Sequence, residues 1–242
     1  MASLPPSACC AIKFDHEGES VGSLKTVAGL HSYVTGESFG NEKVIIILSD
    51  IFGLALKNNL LLADYLSSLG SIQVIIPDIL GGDAVESIEK FDRTTFFGAH
   101  GPHVTTPIVN EFLTKFRAEY KPSKLFGIGY CFGAYFTIEN LAEGGLLDAG
   151  AVAHPSMVSE VLVQNLAKPL LISSGEADAA FTPELRELTI KILSEKKDVR
   201  WQLDLFQGAP HGYAVKGDLS QPNIKYAKEK TAADQIYWFN QF

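Results

Sequence analysis

The segment Gly129-Tyr130-Cys131-Phe132-Gly133 carries the clearest chemical signal in the chain. A cysteine flanked two positions away by glycines, where an apolar run passes into a helical pattern, predicts a nucleophile on a sharp strand-to-helix turn. Such a turn crowds its neighbours, so they must be small, and Gly129 and Gly133 are. Cys131 then stands at a helix N-terminus, where the peptide dipoles favour thiolate over thiol. The N–H of Phe132 falls at the same spot and can hold an oxyanion. Alone, the pattern also fits an ordinary buried cysteine.

Two further residues complete a nucleophilic constellation. Ser173-Ser-Gly-Glu-Ala-Asp178 follows an apolar run and ends in an acid that can orient an imidazole. Gly208-Ala-Pro-His211-Gly212 sets a histidine in a glycine- and proline-bounded loop. Alone, Asp178 reads as a turn or capping aspartate and His211 as a solvated loop histidine. Nucleophile, acid and base in that order, each after a strand, point to acyl transfer by Cys131, with His211 as base and Asp178 as its orienter. Earlier, Ser49-Asp50-Ile51-Phe52-Gly53 ends another apolar run. The Ile51 N–H is expected as the second oxyanion donor. A carboxylate at Asp50 would lie beside the sulfur and hold it neutral at rest, or simply tie down its loop. Phe52, Tyr130, His154 and Tyr213 are expected around the pocket, and Phe96, Phe97 and Phe132 offer apolar lining or core.

Other chemistries find less support. His100-Gly-Pro-His103 is an isolated pair, and no H-x-x-x-H or C-x-x-C spacing occurs, so no metal is expected. No glycine loop with a phosphate-binding lysine is present, and no cofactor is expected. Cys9-Cys10 reads as part of a flexible tail over residues 1–12, or as a redox pair.

These side chains need a scaffold, and the pattern supplies one. Strands are expected at Val44–Leu48, Ile72–Ile76, Leu125–Gly129, Ala149–His154, Leu170–Ser174 and Val199–Phe206. Helices are expected at Asn58–Leu69, Thr106–Arg117 (opened by Pro107), Phe132–Leu141, Thr182–Leu193 and Thr231–Phe239, with a short one near Ser87–Phe96. This alternation specifies an α/β fold, a mostly parallel sheet with helices on both faces and its site at the strands' carboxyl ends. The 242 residues suit a single domain, with 46% hydrophobic and 20% charged residues. A net charge of −8 argues against nucleic acid or an anionic membrane as partner. No signal segment is read, and three cysteines build no disulfide framework. A reducing compartment follows, cytoplasmic with nuclear access, and a monomer or homodimer is expected.

The strand ending in Asp50-Ile-Phe-Gly53, the Pro77-Asp78 pair, the Gly-Tyr-Cys-Phe-Gly turn and the Ala209-Pro-His-Gly212 loop together resemble the dienelactone hydrolase family. Pro5-Pro-Ser-Ala-Cys-Cys10 and Ala153-His-Pro-Ser156 resemble its fungal branch. The resemblance spans about Lys43 to Phe242. It implies an α/β-hydrolase fold without a large lid and a Cys131, His211, Asp178 triad. It also implies a small ester, lactone or thioester as substrate. Two departures stand out. Bacterial members have glutamate where this chain has Asp50. They also have an arginine soon after the catalytic histidine, where this chain reads Gly212-Tyr-Ala-Val-Lys216. Lys216 or Arg93 would have to replace it for an anionic substrate. The alternative reading is a small-molecule-binding or redox-sensing thiol protein on the same fold.

Overall fold

The computed structural model describes residues 14–87 and 91–242. Eight strands form one sheet: β1 (Ser23–Val27), β2 (Leu30–Thr35), β3 (Lys43–Leu48), β4 (Gln73–Pro77), β5 (Lys124–Tyr130), β6 (Ala149–Ala153), β7 (Leu170–Ala177) and β8 (Trp201–Pro210). Their spatial order is β1-β2-β4-β3-β5-β6-β7-β8. The pairs β1–β2 and β2–β4 are antiparallel; every pair from β4 to β8 is parallel. The helices are α1 (Lys57–Gly70), α2 (Arg93–His100), α3 (Pro102–Tyr120), α4 (Gly133–Glu139), α5 (Glu160–Gln164), α6 (Pro183–Glu195), α7 (Tyr213–Lys216) and α8 (Pro222–Phe239). This is an α/β-hydrolase architecture, with no separate lid domain among the described residues.

The central strands are buried on both faces, which is why they read as unbroken apolar runs. Successive β5 side chains alternate between the two helical layers. Phe126 stacks on Phe239 of α8, with ring centroids 4.6 Å apart. A Cβ built on the next residue, Gly127, would meet Thr137 and Leu147 on the α4 side. That layer packs closely because the sheet offers it no side chains. A Cβ on Gly129 would lie 2.5 Å from Ala134 Cα, and one on Gly133 would lie 1.9 Å from the Leu48 carbonyl oxygen.

Several boundaries differ from the sequence expectation. The hairpin β1–β2 is not foreseen, because its strands are short and β1 is mostly exposed. Its Ala28-Gly29 turn has φ of 46° and 90°, as two-residue hairpin turns need. Helix α3 starts at Pro102, so Pro107 lies inside it and not at its first position. The segment foreseen as a helix near Ser87–Phe96 forms α2 from Arg93, where the Asp92 side chain accepts from the Thr95 N–H at 2.7 Å. Residues 88–90 lie outside the described residues. Helix α4 is shorter than expected, and α8 begins nine residues earlier, in a lysine-rich stretch with little apolar periodicity. Strands β7 and β8 run on to Ala177 and Pro210, one residue short of Asp178 and His211. The tail foreseen over residues 1–12, with Cys9 and Cys10, lies outside the described residues. No helix among the described residues is long and apolar enough to cross a membrane.

Candidate active site

Five parallel strands deliver the candidate residues to one edge of the sheet. β3 leads to Asp50 and Ile51, β5 to Cys131, β6 to His154, β7 to Asp178 and β8 to His211. Cys131 sits at φ 50°, a left-handed conformation that costs a residue with a side chain about 1–3 kcal/mol. Its neighbours hold it there. Its N–H donates to the Ala153 carbonyl at 3.3 Å, and its own carbonyl accepts from Ser156 at 3.1 Å and Ala134 at 3.3 Å.

The side chain of His211 bridges the other two. Its Nε2 lies 3.0 Å from Cys131 Sγ, and its Nδ1 lies 3.0 Å from each carboxylate oxygen of Asp178. A carboxylate only accepts, so Nδ1 carries the proton and the Nε2 lone pair faces the sulfur in the neutral ring. Asp178 Oδ1 is itself held by the N–H groups of Ala180 at 2.7 Å and Phe181 at 3.3 Å. All three residues are buried, at 1%, 2% and 7% exposure for Cys131, Asp178 and His211. Burial strengthens each of these bonds by excluding water.

Asp50 is buried in the same region. Its Oδ1 accepts from the Phe52 N–H at 3.1 Å and from Asn59 Nδ2 at 3.0 Å. Its Oδ2 has no hydrogen-bond partner among the described residues. Burial raises its pKa; the Asn59 bond, the Lys216 charge, the Phe52 N–H and the His211 charge oppose that in decreasing order. Asp50 makes no hydrogen bond to the sulfur. The Ser156 Oγ lies 3.8 Å from Sγ, and Ser156 is fully buried. Sequence reasoning does not single out Ser156 as a site residue. The available signal is its place just past the end of β6, where a parallel sheet gathers functional groups.

His154 is fully buried, sits at φ 38°, and neither ring nitrogen has a hydrogen-bond partner among the described residues. Burial, then the His211 and Lys216 charges, push its pKa well below the ordinary value, so its ring is neutral. It packs edge-to-face on His211, with centroids 5.2 Å apart, and on Tyr213 at 5.7 Å. Tyr130 lies 5.8 Å from His154 on another side. The hydroxyls of Tyr130 and Tyr213 turn to α8, to Gln235 at 2.9 Å and Thr231 at 2.8 Å. These three rings form a supporting layer behind His211.

The oxyanion candidates occupy the expected places in the chain. Ile51 follows β3 and Phe132 opens α4; neither backbone N–H has an acceptor among the described residues. Phe52 is buried, and Lys216 Nζ lies 5.9 Å from its ring centroid. Arg93 is exposed on α2. His103 is exposed, whereas His100 pairs with Asp83 at 2.8 Å. No group of three or more His, Cys, Asp or Glu able to hold a metal occurs among the described residues. Two cavities flank the site. One, of about 440 Å³, is lined partly by Val85, Phe91 and Phe96, and the Phe96 ring meets Phe132 at 5.4 Å. The other, of about 260 Å³, reaches His211 and Lys216.

Known proteins share this chain's sequence and fold. The family model of the dienelactone hydrolase family matches residues 30–242. Hydrolase pyvD of Aspergillus violaceofuscus is 36% identical, over 100% of this chain and 99% of that protein. Dienlactone hydrolase 1 of Gibberella moniliformis is 32% identical, over 97% of this chain and 94% of that protein. In structure, a putative dienelactone hydrolase from Klebsiella pneumoniae superposes with a TM-score of 0.73 at 15% identity, covering 93% of this chain and 100% of that chain. The chain belongs to the dienelactone hydrolase family.

Proposed function

We propose that this protein is a hydrolase of small esters, lactones or thioesters that works through a Cys131 acyl-thioester. The reading is carried by the continuous contact from Asp178 through His211 to Cys131, at 3.0 Å per step. His211 Nε2 takes the proton of Sγ, and the thiolate attacks the substrate carbonyl carbon. The N–H groups of Phe132 and Ile51 receive the developing oxyanion, each worth roughly 3–4 kcal/mol of barrier by comparison with measured oxyanion holes. As the tetrahedral intermediate collapses, the carbon–oxygen or carbon–sulfur bond to the leaving group breaks. That group takes the proton from Nε2. His211 then deprotonates a water, which opens the thioester and frees the acid and Cys131. Asp178 keeps the ring in the required tautomer throughout and offsets the imidazolium charge. His154, neutral and packed on His211, fixes the ring plane without adding a competing charge.

The test is a turnover screen over short aryl esters, lactones and thioesters, run beside Cys131→Ala. The variant should fold normally and fall to the uncatalysed rate, and a mass shift on the unmutated protein under single turnover should map to Cys131. Near-full hydrolysis by Cys131→Ala would place the chemistry elsewhere.

A further inference from the structure

Helix α7, the single turn that follows His211, is clasped by a segment far away in sequence. The Phe14 N–H donates to the Lys216 carbonyl at 3.1 Å. Asn58 Nδ2 donates to the carbonyls of Phe14 at 2.7 Å and Val215 at 3.1 Å, and Asn58 Oδ1 accepts from the His16 N–H at 2.9 Å. The His16 ring meets the Gly217 carbonyl at 2.9 Å through Nε2, which must therefore be the donor. Asn58 is buried, so its amide works as a fixed rivet between α1, α7 and residues 14–16. The result is that Phe14, half-exposed itself, stands on the wall of the 260 Å³ cavity that reaches His211.

The chemistry assigns that cavity a side. The proton removed from Sγ resides on His211 Nε2 and leaves with the departing oxygen, so the departing group must come within hydrogen-bond reach of Nε2. The carbonyl oxygen goes the other way, toward Ile51 and Phe132. The 260 Å³ cavity is lined by His211 and by neither Ile51 nor Phe132, the lining a leaving-group site calls for. Phe14, Ala179, Pro210 and Ile224 make much of its wall apolar. We propose that the cavity is the leaving-group subsite, that it takes an apolar ring-bearing alcohol or enol, and that Phe14 sets this preference. The assignment rests on the hydrolase reading above.

Two ester series separate this subsite from the acyl side. One keeps acetate and enlarges the alcohol: methyl, phenyl and 2-naphthyl acetate. The other keeps 4-nitrophenol and enlarges the acid: acetate, butyrate and benzoate. Phe14→Ala should lower kcat/KM about tenfold more for 2-naphthyl than for methyl acetate, because only the larger ring touches the lost wall. The ratios within the second series should stay within about twofold, since all share one leaving group. Asn58→Ala, which frees the clasp, should reproduce the selective loss. A binding measurement decides the subsite without turnover: 2-naphthol fluorescence titrated into Cys131→Ala and into Cys131→Ala/Phe14→Ala. Affinity about tenfold weaker in the double variant supports the subsite. Equal affinity, or a loss on Phe14→Ala that does not grow from methyl to 2-naphthyl acetate, overturns it. A protein that hydrolyses none of these esters refutes the ester arm of the hydrolase reading, and the naphthol titration still decides whether the cavity takes an aromatic alcohol against Phe14.

Discussion

Asp50→Asn should make the protein more stable, and increasingly so as pH rises. The Asp50 carboxyl is buried with one oxygen lacking a donor among the described residues, and burial is the largest influence on it, raising its pKa above the ordinary value of 3.8. In the unfolded chain the group ionises near 3.8, and in the native protein only at higher pH. Between those points the native state holds more protons than the unfolded one, so stability falls as pH rises. The contribution is fully present below 3.8 and lost as pH climbs through the native value. Asparagine does not titrate, and its carbonyl oxygen can still accept from Phe52 and Asn59. An unsatisfied buried polar atom costs ~1–3 kcal/mol. The new amide hydrogens need partners of their own and return part of that, leaving a net gain of about 1 kcal/mol once the native carboxyl is ionised. For a chain of this size that is ~2–4 °C in Tm. The assay is calorimetric melting of both proteins at a series of pH values upward from about 4, where the unfolded carboxyl begins to ionise. A gap that stays flat with pH, or an Asp50→Asn protein that melts lower throughout, refutes the reasoning. It would mean that Lys216, His211 and the two donors hold Asp50 ionised in the native state at no net cost.

Asp178→Asn should leave the fold and KM nearly unchanged, since an amide oxygen can still accept from Ala180 and Phe181, while kcat falls by ~10²–10⁴ as His211 loses its tautomer control. Steady-state kinetics checks this, and a fall below about tenfold would reduce Asp178 to a turn residue. Gly133→Ala should lose at least ~3 kcal/mol, because the added methyl carbon would sit 1.9 Å from the rigid Leu48 carbonyl oxygen. Denaturant midpoints and soluble yield measure that loss, and a stable Gly133→Ala protein would show that α4 can slide off β3.

The sheet and the order of its candidate residues are legible in the sequence because each rests on a local rule. Val44–Leu48 reads as a strand since it is apolar on both faces, and Gly129 and Gly133 read as an elbow since helix α4 leaves no space for side chains there. What stays hidden depends on contacts made across the chain. The early start of α8 is dictated by Ile224 and Ala227 packing into the core, two apolar residues among lysines that give no helical stripe alone. The hairpin β1–β2 is held by the pairing of β2 with β4, which no property of Leu30–Thr35 announces. Pro107 reads as a helix start because proline suits a first turn, yet α3 tolerates it inside and takes Pro102 as its first residue.

Ser156 is hidden for a different reason, and it bears on how the site is built. Among the described residues, six non-glycine residues have positive φ: Ala28, Ser71, Lys121, Cys131, His154 and Met157. Ser71 and Lys121 close helices α1 and α3, and Ala28 sits in a hairpin turn, where that conformation is routine. The other three are Cys131 itself and two residues, His154 and Met157, of the segment that follows β6. His-Pro-Ser-Met holds no glycine or asparagine to announce a left-handed backbone, and each such residue costs about 1–3 kcal/mol. The loop is held by bonds to its neighbours: His154 N–H donates to the Ser173 carbonyl at 2.9 Å, and Ser156 N–H to the Cys131 carbonyl at 3.1 Å. Its course sets the Ser156 hydroxyl beside Sγ and packs the His154 ring on His211. Local propensity opposes this loop and tertiary contacts impose it. A reading built on propensity is therefore blind at the positions where the fold gives up stability to shape the candidate site.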